Sequence, residues 1–442
     1  LEKQMPLDEI AASLYAWDVA DEGIDNALDV LSSRAGVNSA YLVGLMHKEK
    51  RPLHARFYPH NPVRKYYLPE DSRVYWKPTA AHYTGRIAPL PSERDFLKDT
   101  DWLQVTIDGA RARGMRTGCE ISHTVIDAAL ARSEFPDVLQ RDIDGSFVGA
   151  YEAGENERAL PCLNHPEVQQ YLIGLFTDLA TNYDLDFVQT CLVAFGAGND
   201  DPTAGPKGAG RWQNMLAVAT GGCFCSECER KARAEGLDWE AVRSEVSHLA
   251  RLHRRQGLAE LHERHLLDES SVSEGTFWLE NEAFAAWMHF RKRSVTELFR
   301  LVREALDGTG RAVEFRLNTY MTVPERAGLD FVSAFRHVDS VRESDYSDQL
   351  GTPKGVAIKR AKLMKVRRAL RDDQKLIAAL GVRPHATPET LIASVKAAVD
   401  AGADGLSLGH YDGATMERLD AVREGVRRWE GTADSWGPLP TD

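Results

Sequence analysis

Short apolar runs and longer amphipathic segments take turns along all 442 residues, and few folds accommodate such alternation. The apolar runs predict eight strands, at 10–18, 37–46, 115–123, 187–195, 312–318, 337–343, 375–382 and 404–410. Between them, residues 22–35, 94–113, 166–182, 354–371, 388–401 and 414–429 carry apolar positions at helical spacing. Asp21, Ser92 and Thr387-Pro388 read as helix starts, because a short polar side chain can accept a hydrogen bond from the first-turn N–H groups. Strands alternating with helices imply βαβ units and a parallel sheet. Eight units favour a closed (β/α)8 TIM barrel. The alternative is an open doubly wound sheet, for which no GxGxxG follows the first strand.

Residues 1–430 are expected to form that single barrel domain, with 431–442 as a C-terminal tail. Two connections exceed the usual two to six residues. One is a long loop at 47–92 after strand two, rich in aromatic residues; the other is a cysteine-containing helical insertion at 196–311 after strand four. Both leave strand C-terminal ends, the face on which barrels carry their sites.

Composition narrows the class of partner. The net charge of −12 excludes nucleic acid as the main partner, since phosphate binding needs a basic patch. No apolar run reaches the ~20 residues that span a bilayer, so no membrane is expected. The N-terminal residues show no signal-peptide pattern, which reads as cytoplasmic; a removed leader stays open. No P-loop or HExxH occurs, and no organic cofactor is expected. His248, His253, His262 and His265 read as a solvated helix face.

The sharpest local motif is Cys223-Phe-Cys225-Ser-Glu-Cys228. Thiolates so spaced can wrap one tetrahedral ion, and Zn2+ prefers four soft ligands. Cys162, in a loop before the third barrel helix, is the better candidate for the fourth ligand, because Cys119 and Cys191 lie within apolar strands. Cysteines with no ion are the other reading. A lone Cys before a P-x-V-x-x-Y helix, followed by C-x-C-x2-C, resembles the zinc site of the glycoside hydrolase family 42 β-galactosidases. Trp287-Met-His-Phe290-Arg291 with Ser294, Val295, Thr296 and Phe299 is similar to their long helix before strand five. The likeness spans roughly 160–300; elsewhere it is architectural. It implies a structural Zn2+, a glycoside or oligosaccharide substrate and a homo-oligomer. It does not supply the catalytic pair: that family's glutamates close strands four and seven, where this chain has Gln189-Thr-Cys-Leu-Val-Ala-Phe195 and Gly381-Val-Arg-Pro-His385.

Other acids must then do the chemistry. Strand parity turns Glu120 and Ser122 inward on strand three, and Glu314, Arg316 and Asn318 inward and up on strand five. Glu343 and Asp345 follow at the end of strand six. These four acids form the pool for a general acid and a base or nucleophile; as structural ion pairs they would be idle. Trp17, Asp18, His123, Arg316, Asn318, Tyr320, Arg383, His385, His410 and Asp412 are expected to bind substrate hydroxyls and ring faces, with Trp76 as a further stacking candidate. The predicted activity is glycosidic-bond hydrolysis. A metal-dependent sugar or sugar-acid lyase or isomerase, with an ion on Glu120, Glu314, His123 or His410, and a non-catalytic polysaccharide-binding barrel are the alternatives.

Overall fold

The computed structural model describes residues 7–47, 59–122, 124, 126–148, 159–191, 194–196, 220–254, 281–319, 327–383 and 385–431. Nine strands occur in these segments: β1 (Glu9–Leu14), β2 (Ser39–Met46), β3 (Arg73–Val74), β4 (Arg116–Ile121), β5 (Phe187–Thr190), β6 (Glu314–Thr319), β7 (Ser340–Glu343), β8 (Lys375–Gly381) and β9 (Gly405–Gly409). All but β3 pair in parallel, in the order β1-β9-β8-β7-β6-β5-β4-β2, and β2 returns to β1. The ring is a closed eight-stranded barrel. β3 lies outside it, antiparallel to β2, within the long loop.

The helices are α1 (Ala16–Glu22), α2 (Ile24–Ala35), α3 (Trp102–Arg111), α4 (Ala128–Glu134), α5 (Pro166–Asn182), α6 (Ser226–Ala234), α7 (Trp239–Arg254), α8 (Glu282–Gly308), α9 (Phe331–Ala334), α10 (Pro353–Ala369), α11 (Pro388–Asp400) and α12 (Met416–Gly431). α6, α7 and α8 belong to the insertion. The alternation of side chains along each strand separates two cores. Leu14, Leu42, Val188, Phe315, Leu317, Leu376 and Leu408 face the helices and join the main core. Ala11, Tyr41 and Phe187 pack against one another inside the ring.

Several sequence expectations shift. The first strand stops at Leu14, short of 18, because the Asp18 carboxylate accepts the Tyr15 N–H at 2.9 Å and opens α1. Trp17 and Asp18 therefore stand on a helix. Asp21 does not cap α2; it binds Asn61 and Arg64, and Gly23, at φ +78°, makes the turn. Ser92 bonds Glu70 instead of starting a helix, and Asp101 caps α3 through the Gln104 N–H. Thr387 caps α11 with Pro388 behind it, as the sequence predicts. β5 ends at Thr190 because the chain then leaves the sheet: the Phe195 N–H donates to Ala327 and the Gly196 N–H to Gln140.

Candidate active site

The two ends of the barrel interior differ in chemistry. Glu9, Ser39, Arg116, Glu314 and Ser340 are the first residues of β1, β2, β4, β6 and β7. They meet at the N-terminal end around Arg316. Its guanidinium forks onto both Glu9 oxygens, at 3.0 and 2.9 Å, and reaches Glu314 at 2.7 Å. Arg116 donates to Glu314 at 2.8 Å, and Ser39 to Glu9 at 2.9 Å. The Phe187 ring covers the Arg316 guanidinium at 4.0 Å. Burial alone would push Glu314 up, but Arg316, Ser340 and Arg116 outweigh it and hold the carboxyl at about 2. Glu314 and Arg316 thus face inward but form the floor of the barrel, not its mouth. This corrects the expectation for both.

Glu120 lies toward the other end, fifth of six residues in β4. Its carboxylate accepts the Gln189 amide at 2.7 Å and the Asn318 amide at 3.5 Å, and the residue is partly exposed. Burial raises its pKa, while Arg342, Gln189 and Asn318 pull it back. Arg342, on the inner face of β7, is the hub of this level. It donates to Ser407 at 2.8 Å, to Asn318 at 2.8 Å, to Ser344 at 2.6 Å and to the Tyr346 hydroxyl at 2.8 Å. His410 stands at the rim, its Nδ1 3.1 Å from the Tyr15 hydroxyl and its ring 5.5 Å from that of Tyr346. Strain collects at this end: Thr124, His385 and His410, which follow β4, β8 and β9, have φ of +46°, +86° and +70°. Non-glycine residues tolerate such backbones only where the surroundings fix them, and these often mark functional loops.

The remaining acids of the pool do not join Glu120. Since Arg342 points inward, Glu343 points outward to the helix layer and accepts the Thr319 hydroxyl. Burial raises its pKa to about 7, with Asp345 adding to the rise, against Thr319, Lys359 and Lys362. Burial also opposes ionisation of Asp345, yet Lys362, Ser347 and Lys359 hold its pKa below the usual value. Asp345 is one end of an ion pair with α10.

Of the expected substrate contacts, Asn318 and His410 lie at the Glu120 end and His385 is exposed beyond β8. Trp17 is buried, stacked on Tyr15 at 4.5 Å, and Trp76 is buried with its indole N–H on Asp178 at 3.2 Å. Neither offers a free face to a sugar. Asp18 and Asp412 are buried carboxyls beyond β1 and β9. Burial, and for Asp18 the neighbouring Asp412, raises their pKa values, while Arg383, itself buried, restrains Asp412. His123 and Tyr320 lie outside the described residues. Gln189, Arg342, Tyr346 and Ser344 were not singled out from the sequence; inward parity from Phe187 and Ser340 was the signal that would have found the first two.

Cys162, Cys223, Cys225 and Cys228 are all buried, with their sulfurs within 4.8 Å of one another. The Cys162 sulfur is 3.5 Å from those of Cys225 and Cys228. A tetrahedron of ~2.3 Å Zn–S bonds has edges of about 3.8 Å, so the four donors suit one ion. Backbone and amide N–H groups support them: Arg141 N–H to Cys223 at 3.4 Å and Asn164 to Cys228 at 3.3 Å. Among the described residues this is the only such grouping of metal-ligand side chains. Of the residues weighed for the metal-dependent alternative, Glu120 and Glu314 lie at opposite ends of the barrel, and His123 lies outside the described residues.

No protein-family model and no curated protein matches this sequence. Solved structures do. An α-L-fucosidase isoenzyme 2 from Paenibacillus thiaminolyticus aligns with 96% of this chain and 49% of its own, at 14% identity and TM-score 0.54. A β-galactosidase from Bacillus circulans sp. alkalophilus aligns with 97% of this chain and 56% of its own, at 15% identity and TM-score 0.53. The catalytic domain of a β-amylase from Paenibacillus polymyxa covers 95% of this chain and 98% of its own, at 11% identity and TM-score 0.51. The likeness is one of fold. The chain spans about half the length of the fucosidase and β-galactosidase chains it matches.

Proposed function

We propose that this chain is a carbohydrate-active hydrolase that cleaves a glycosidic bond at the C-terminal mouth of the barrel, with Glu120 as its proton donor. One observation carries the reading. Glu120 is an inward carboxyl toward the C-terminal end of its strand, on a partly exposed residue, and burial biases it toward the protonated form a general acid needs. The fucosidase, galactosidase and amylase character of structures with this fold supports it by analogy. Asn318, Tyr346 and His410 are the polar neighbours suited to sugar hydroxyls. Glu314, Glu343 and Asp345 drop out of the catalytic pool, so the reading rests on Glu120 alone.

The test is turnover of a panel of aryl glycosides and uronic-acid oligomers by the full chain and its Glu120→Gln variant. Loss of roughly 10²–10⁴-fold is expected on whichever substrate is cleaved, with the circular dichroism spectrum unchanged. Equal rates for both proteins end the proposal.

We also infer that the four cysteines hold one structural Zn2+. A site closed by four thiolates leaves no position for substrate, so the ion's role is to fasten the insertion to the loop before α5.

A further inference from the structure

Arg342 stands apart from the other arginines that face into the barrel. It is 2% exposed, and its four hydrogen bonds among the described residues go to neutral oxygens, on Ser407, Asn318, Ser344 and Tyr346. Among the described residues no carboxylate lies within ion-pair distance of it, whereas Arg116 and Arg316 at the floor touch two carboxylates each. An unpaired buried cation is costly, so its persistence calls for an explanation. Glu120 on this level meets it across the Asn318 amide; Arg342 pulls the Glu120 pKa down, but burial outweighs that pull.

One of these bonds leads toward the rim. Arg342 donates to the Tyr346 oxygen, so the Tyr346 hydrogen is left to donate onward, and this side chain is partly exposed. Gly409 keeps that route open: a Cβ there would collide with the Tyr346 hydroxyl.

We propose that the substrate is an acidic sugar, and that its carboxylate docks at the Tyr346 hydroxyl, where it serves as the missing counter-ion of Arg342. This rests on the hydrolase reading only for the location of the site. A single guanidinium matches a monoanion, which favours a uronate over a phosphate ester carrying closer to two charges.

Isothermal titration of the full chain with glucuronate, galacturonate, the matching neutral methyl glycosides and glucose 6-phosphate tests the proposal without requiring turnover. At least one uronate is expected to bind tenfold or more tighter than its neutral counterpart. Tyr346→Phe and Arg342→Lys should each erase that preference; Tyr346→Phe, which removes one oxygen, covers the case in which the Arg342 variant does not fold. Equal affinities, tighter binding of the phosphate, no binding of any of these sugars, or a preference surviving in Tyr346→Phe overturns it. Cleavage of neutral glycosides that depends on Glu120, without uronate preference, would leave the hydrolase reading intact and remove this one. Uronate binding without any turnover would do the reverse.

Discussion

Glu120 and Glu314 both point into the barrel, yet their surroundings shift their pKa values in opposite directions. Glu314 sits between two arginines as an anion, so Glu314→Gln leaves those cations short of a partner. Breaking a buried pair in this way typically costs about 3–5 kcal/mol; Glu9 still holds Arg316, so the lower part of that range is expected from urea melts. Activity per folded molecule should not change. Glu343 gives a prediction of opposite sign. Its pKa rises from 4.5 to about 7 on folding, so the folded state binds the extra proton. Stability from this group is full below pH 4.5 and is lost as pH rises through 7. Glu343→Gln should match the parent near pH 4.5 and exceed it at pH 8 by up to about 3 kcal/mol, read from denaturant midpoints across pH. Parity along the strands was legible in the sequence, because apolar residues mark the helix side. Height along a strand was not. A strand starting at 312 lifts Glu314 above its first turn, whereas the actual start at Glu314 puts it on the floor, and a shift of two residues preserves parity while changing which end a side chain serves.

At the level of elements, legibility followed the range of the interactions involved. Thr387-Pro388 caps α11 through bonds within three residues, so the local sequence contains the answer. Asp21 and Ser92 resemble caps but are taken up by Asn61 and Arg64 and by Glu70, partners 22 to 43 residues away that no local pattern reveals. The start of the first helix, 16–18, was read as strand because its capping bond, from Tyr15 to Asp18, lies in an apolar stretch of β character. The cysteine cluster was legible in spacing, and the structure adds its reach: one cysteine precedes α5 and three lie at the start of α6. Cys162→Ser is therefore expected to lower bound zinc, measured by elemental analysis, well below one per chain. Hydrogen exchange should then rise in α6 and the adjoining α7, while the barrel strands stay protected.

The whole molecule depends on the ring closing around very little space. At Gly118 a Cβ would collide with the Phe187 ring, inside the small core that Phe187 shares with Tyr41 and Ala11. Gly118→Ala should destabilise the protein by roughly 1–3 kcal/mol in equilibrium unfolding, as overpacked interiors do, with all probes reporting one transition. The charged floor has a further consequence. Its Glu314 stays ionised down to about pH 2, whereas toward the C-terminal end Glu120, Asp18, Asp412 and Glu343 are shifted up, with Asp345 held down by Lys362. Acid therefore stresses one pole of the barrel and alkali the other, and the first place to loosen will report which way the solution was titrated.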